Sequence, residues 1–212
     1  MFEQHKEWYR RRFGSNQTLL TVLLLGIASL AGPLTAHSDM DEASASQLHP
    51  AKQTTLGLYV TSREAYETWK ASPDKITILD VRTPEEYLFV GHTDMAWNIP
   101  LAAQAYQWDA EKMTFPMSIL KDFVTRVQKV ARPEDTLLVM CRSGGRSAMA
   151  VNLLAKAGFK NVYNITDGME GDAVKDPGSV FNGQRLVNGW KNSGLPWTYD
   201  VDPEQMILPA QH

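Results

Sequence analysis

Disulfide bonding within this chain is excluded by a single count: among 212 residues there is one cysteine, Cys141. That excludes a small fold stapled by cystines. An excess of charge is missing too. Lys and Arg number 21 against 24 Asp and Glu, a formal net charge of -3, so no basic field calls for nucleic acid as a partner. Internal repeats are absent, which sets aside solenoids and propellers. What the chain does have is apolar residues, 43% of the total, enough to argue against disorder and, at this length, to build one domain with a real core.

The N-terminal end differs from the rest. Arg10-Arg11-Arg12 precedes a run without Asp, Glu, Lys or Arg over residues 13–38, strongly apolar over 19–30 and broken by Gly32-Pro33. A basic start, an apolar middle and a small-residue exit at Thr35-Ala36 form the pattern of a secretory signal peptide, residues 1–36, with cleavage expected after Ala36. The alternative is an uncleaved N-terminal membrane anchor, for which the run barely reaches the roughly 20 apolar residues a span requires. In a bacterium either outcome places the remainder in the periplasm, with membrane contact only if the segment stays uncleaved. A lone thiol in that oxidising compartment is either buried and inert or kept for its reactivity.

Residues 37–55, rich in Ser, Asp, Ala, Gln and Pro, read as a flexible linker. Strands are expected at 56–60, 76–81, 136–140 and 162–165, with a short extended piece at 97–101. Helices are expected after the capping pattern Thr61–Glu64, from Thr83-Pro84, over the amphipathic residues 117–130 up to Pro133, and over 147–157 with Gly158 as its cap. This alternation implies an α/β domain over residues 56–200: a doubly wound, mostly parallel sheet with helices on both faces. Trp190 and Trp197 are expected anchors, and residues 201–212 a loose tail.

Chemistry concentrates in Cys141-Arg142-Ser143-Gly144-Gly145-Arg146-Ser147, which follows the apolar strand Thr-Leu-Leu-Val-Met. Ligands of such sheets bind beyond the carboxyl ends of strands, and Cys141 lies at one. Gly144 and Gly145 let the loop curl so that backbone N–H groups point inward. The next helix adds the positive end of its dipole, and Arg142 and Arg146 add full charges. Together these favour an anionic sulfur at Cys141. The competing reading is a small buried side chain at a strand end, but a turn alone does not require two arginines beside one cysteine.

The loop resembles the active-site loop of the rhodanese, or sulfurtransferase, family. Upstream, Asp80-Val81-Arg82-Thr83-Pro84-Glu85-Glu86-Tyr87, Gly91-His92 and Asn98-Ile99-Pro100 resemble the family's N-terminal signature. Downstream, Val162-Tyr163-Asn164-Ile165 with Asp167-Gly168, then Trp190 and Gly194-Leu195-Pro196-Trp197, resemble its closing part. The resemblance implies a reaction through a persulfide. Cys141 takes the sulfane sulfur of a small anion such as thiosulfate or polysulfide, and a thiol, cyanide or a partner protein's cysteine then collects it. Arg142 and Arg146 would attract the donor, the backbone from Arg142 to Ser147 would hold the sulfur, and no metal or organic cofactor is needed. Asp80 and Arg82 would brace the loop from behind, against a surface ion pair as the plain alternative. His92, with no His or Cys at ligand spacing, is expected to be a hydrogen-bonded structural residue rather than a zinc ligand.

Two other functions compete. A non-catalytic rhodanese-like binding module often lacks the cysteine, which this chain keeps. A cysteine-dependent phosphatase or arsenate reductase places one more residue between Cys and Arg than the four found here. The polar segment 170–188 and the stretch 102–115 are longer than the family pattern and are candidates for acceptor choice or plain surface excursions.

Overall fold

The computed structural model describes residues 48–210. The proposed signal peptide, most of the linker and the last two residues therefore lie outside the described residues. Strand β1 (Tyr59–Val60) leads into helix α1 (Ser62–Ala71), which opens on the expected capping box of Thr61 and Glu64. Then follow β2 (Ile76–Asp80), α2 (Pro84–Val90), β3 (Ala96–Asn98), β4 (Ala102–Gln104), β5 (Met117–Ile119), α3 (Phe123–Val127), β6 (Thr136–Met140), α4 (Gly145–Lys156) and β7 (Asn161–Ile165).

Five strands form one sheet in the order β1-β7-β6-β2-β3, and every pairing is parallel. Parallel neighbours need crossovers, and the intervening helices supply them. Because side chains alternate along a strand, each buried strand feeds two cores. Leu79, Leu137, Val139 and Val162 pack with Phe123 and Val127 of α3 and with Ala150, Val151 and Leu154 of α4. Ile78, Leu138, Met140 and Ile165 pack on the other face with Ala65 and Trp69 of α1 and with Trp190. The doubly wound α/β sheet with helices on both faces is thus the observed architecture.

Three expectations are corrected. Residues 117–130 are not one helix. Pro116 precedes a strand, Met117–Ile119, that pairs antiparallel with Ala102–Gln104, and the helix shrinks to Phe123–Val127. The 120/123/124/127 spacing was helical, but Met117 and Ile119 lie on the exposed side of a separate hairpin. The end of the linker is structured: Pro50–Lys52 forms a short helical turn, Lys52 pairs with Asp172 at 2.9 Å, and the Lys52 carbonyl accepts from Asn164. The start of the tail is also held, with Ile207 N–H donating to the Asn98 carbonyl and Gln205 donating to the Asp94 carbonyl. In both segments unpaired backbone and amide groups find partners on the domain, which outweighs their polar composition.

Candidate active site

Cys141 follows directly on β6, and its side chain turns toward the α4 face of the sheet. Only 1% of its surface is exposed. Burial alone would fit an inert thiol, so the groups around Sγ decide. Gly144 N–H donates to Sγ at 3.2 Å, and Ser147 Oγ lies 3.4 Å from it. Helix α4 starts at Gly145, two residues earlier than expected, and its Gly144 cap offers no side-chain acceptor. The first N–H groups of a helix lack internal partners, so the start of α4 forms an uncapped donor surface beside the sulfur.

The loop is held in shape from two sides. Gly144 has φ +96°, and a Cβ there would strike the Thr166 carbonyl; Gly145 has ordinary φ and room for a side chain. Of the two glycines the loop geometry demands only Gly144. After β7, Met169 N–H donates to the Cys141 carbonyl at 2.8 Å and Glu170 N–H to the Arg142 carbonyl at 2.9 Å. Gly168, φ +61°, permits this approach, since a Cβ there would strike Cys141.

The two arginines part company. Arg142 is exposed, and no ion pair engages it among the described residues. Arg146 is turned to Glu86 of α2 in a two-pronged pair, both contacts 2.6 Å. Expected as a second donor-attracting charge, Arg146 is neutralised by a carboxylate from the first turn of α2. Burial pushes the Glu86 carboxyl up, but the hydrogen bonds and charge of Arg146 and the Thr83 N–H outweigh it and hold it below the usual carboxylate range. Burial acts to lower the Arg146 guanidinium as well, and Glu86, with Cys141 and Asp80 nearby, leaves it raised. Ser143 sits half-buried in the loop.

Asp80 and Arg82 are fully buried, which removes the surface-pair alternative. Arg82 grips Asp80 with Nε–Oδ1 at 3.0 Å and Nη2–Oδ2 at 2.6 Å, and also donates to the Gly91 carbonyl. Desolvation lowers the Arg82 guanidinium, yet the Asp80 charge and hydrogen bonds leave it raised. Asp80 stands opposite Met140, and Val81 N–H donates to the Met140 carbonyl, so this pair fixes the residue before Cys141. His92 places Nδ1 and Nε2 each 3.1 Å from a carbonyl, of Tyr87 and Asp200, and stacks on Tyr87. Both ring nitrogens are thus engaged in holding the closing segment.

Sequence reasoning missed Asn164. Its Nδ2 donates to the Lys52 carbonyl at 2.9 Å and to the Gly144 carbonyl at 3.1 Å, and its Oδ1 accepts from Ser147 Oγ at 2.6 Å. One signal pointed to it: strand periodicity puts residue 164 on the same inward face as Val162, where a polar side chain needs partners.

Against known families, the family model described as Rhodanese-like domain matches residues 62–173. The chain belongs to the rhodanese-like family. A Rickettsia rickettsii protein, the RP600 homolog, is 31% identical over 140 residues, covering 66% of this chain and 96% of its own length. The Arabidopsis thaliana protein named thiosulfate sulfurtransferase 16, chloroplastic, is 38% identical over 118 residues, 56% of this chain and 76% of its own. Among solved structures, Rv0390 of M. tuberculosis overlays with a TM-score of 0.50 at 26% identity, covering 66% of this rhodanese-like chain and 96% of that one. The matched region runs from the start of α1 to beyond β7 and so contains both the loop and its Asp80–Arg82 brace.

Proposed function

We propose that this rhodanese-like protein is a sulfurtransferase working through a Cys141 persulfide. The observation that carries the reading is the Gly144 N–H aimed at Sγ at the uncapped start of α4. In the first step the Cys141 thiolate attacks the outer sulfur of thiosulfate. A new S–S bond forms, the donor's S–S bond breaks, and sulfite leaves with that electron pair. In the second step a thiol or cyanide attacks the outer sulfur of the persulfide, and the pair returns to Sγ. Gly144 N–H and the start of α4 stabilise the anionic sulfur, and Arg142 draws the donor anion. The chain has no second cysteine to resolve the persulfide, so the sulfur must pass to an outside acceptor. The pairing of Arg146 with Glu86 speaks against the phosphatase reading, which needs that guanidinium for the phosphate.

Intact-mass measurement after thiosulfate treatment tests this: one added sulfur on the wild type, lost on cyanide addition and absent in Cys141→Ala. A protein that stays at its unmodified mass with thiosulfate and polysulfide alike sinks the proposal and leaves the binding-module reading. Export belongs to the same proposal, on the strength of the pattern in residues 1–36, and is checked by fractionating cells that express the full chain.

A further inference from the structure

The hairpin of β4 and β5, which interrupts the expected helix, builds one wall of a cavity of about 590 Å³ beside the active-site loop. That volume lies in the range of sites for organic ligands, and a small inorganic anion would leave most of it unfilled. Tyr106, Phe115 and Met117 supply apolar surface from the hairpin, and Arg142 and Arg146 line it from the loop side. Its charges can be sorted. Glu86 and Arg146 cancel in their two-pronged pair. Arg142 and Glu85 line the same cavity and have no ionic partner among the described residues; Glu85 has only a 3.5 Å contact from Tyr106 Oη. The cavity thus offers one open cation, one open anion and an apolar wall.

We infer that this cavity binds a short peptide thiol with a free ammonium and a free carboxylate, and presents that thiol as the sulfur acceptor. Arg142 takes the carboxylate, Glu85 the ammonium, and the hairpin aromatics the apolar side chain. The inference rests on the sulfurtransferase reading for the transfer itself. There, the acceptor thiolate R–S⁻ attacks the outer sulfur of Cys141–S–SH. The S–S bond to Sγ breaks with its electron pair left on Sγ, and R–S–SH departs, with no external oxidant or reductant. The burial of Cys141 gives a division of labour. A slender donor reaches Sγ, while a bulkier acceptor needs to reach only the outer sulfur, about 2 Å further out.

The experiment reads binding apart from chemistry, on the full chain. The non-reacting probe is the dipeptide S-methylcysteinyl-phenylalanine, titrated by calorimetry beside its N-acetyl form, its C-terminal amide and the S-methylcysteinyl-glycine analogue. Blocking either terminus should weaken binding about three-fold, as suits partly exposed charges. Exchange of phenylalanine for glycine should weaken it about ten-fold. Arg142→Gln should abolish the preference for the free carboxylate and Glu85→Gln that for the free ammonium, each leaving the other intact. Equal binding of all four peptides, loss of all binding alike in both variants, or no binding by the wild type overturns the inference. If this pattern holds while thiosulfate leaves no sulfur on Cys141, the transfer reading fails and the peptide site stands.

Discussion

Asn164 has two amide hydrogens, and both point at carbonyl oxygens, of Lys52 and Gly144. Carbonyls cannot donate, so the amide orientation is set and Oδ1 must face Ser147, whose hydroxyl hydrogen fills the 2.6 Å contact. Ser147 has a single hydroxyl hydrogen, so its 3.4 Å contact with Sγ is secondary to the one with Asn164, and the Gly144 N–H is the main donor to sulfur. Asn164 is therefore a positioning residue: it fixes the loop carbonyl and the serine that flank the thiol. Asn164→Leu strips the Lys52 carbonyl of its amide donor, leaves the Gly144 carbonyl with only the Ala148 N–H and takes the acceptor from the Ser147 hydroxyl, whereas Ser147→Ala orphans only Asn164 Oδ1. At about 1–3 kcal/mol per orphaned group, Asn164→Leu should lower the melting temperature more and slow sulfur loading of Cys141 by about ten-fold, with Ser147→Ala milder in both. Melting curves and a mass time course with thiosulfate check it, and equal behaviour of the two variants would refute the hydrogen count. The comparison also marks what single residues disclose. Cys141 and Gly144 were legible because a strand end and a positive φ have local signatures. Asn164 and the capture of Arg146 were not, because Asn164 meets partners 17, 20 and 112 residues away and Arg146 one 60 residues away in sequence.

Glu86 acts between elements. It closes the capping box of α2 with Thr83 and reaches across to Arg146 in the first turn of α4. Its carboxyl is held below the usual range, so its stabilising contribution is fully present above the unfolded value of about 4.3. That contribution fades as pH falls through the lower folded value. Glu86→Gln keeps an acceptor for the cap and removes only the charge. At pH 7 it should cost about 1–3 kcal/mol, and the gap to wild type should close on acidification below about pH 4.3. Urea midpoints measured across pH give the answer, and a gap that is flat with pH would mean that the pair adds nothing. Elements differed in how plainly they could be read. Strands β2 and β6 are short, largely apolar runs between turn signals, and their inner residues are buried on both faces of the sheet. Residues 117–130 carried apolar spacing that served two elements, and only the pairing of Met117–Ile119 with Ala102–Gln104, a long-range event, separates them.

At the scale of the whole molecule, residues before and after the matched family region close onto the loop. On one side, Lys52 bridges two parts: its carbonyl engages Asn164 behind the loop, and its ammonium engages Asp172 at the neck of the 170–188 segment. Burial raises the Asp172 carboxyl, but hydrogen bonds from Lys52 and Asn188 bring it below the usual range. That neck is itself tied, with Asn188 bound to Asp172 and Gly189 N–H donating to Asp167, whose other oxygen caps the start of α1 through Ser62. Thr55 adds a link to Asn152 on α4. The end of the segment expected to be a flexible linker thus braces the Cys141 loop. A chain beginning at residue 48 retains all these contacts, and one beginning at residue 56 loses those of Lys52 and Thr55. The shorter chain should melt lower, by about 2–4 °C for each kcal/mol removed, and load sulfur more slowly, because the Asn164 amide loses one of its two acceptors. Lys52→Ala separates the two links: it keeps the carbonyl bond and breaks the ion pair, so it should lower the melting temperature while leaving the loading rate near wild type. Identical loading by the chains from 48 and 56 would mean that the loop holds its shape without the segment, and that Asn164 acts through Gly144 and Ser147 alone.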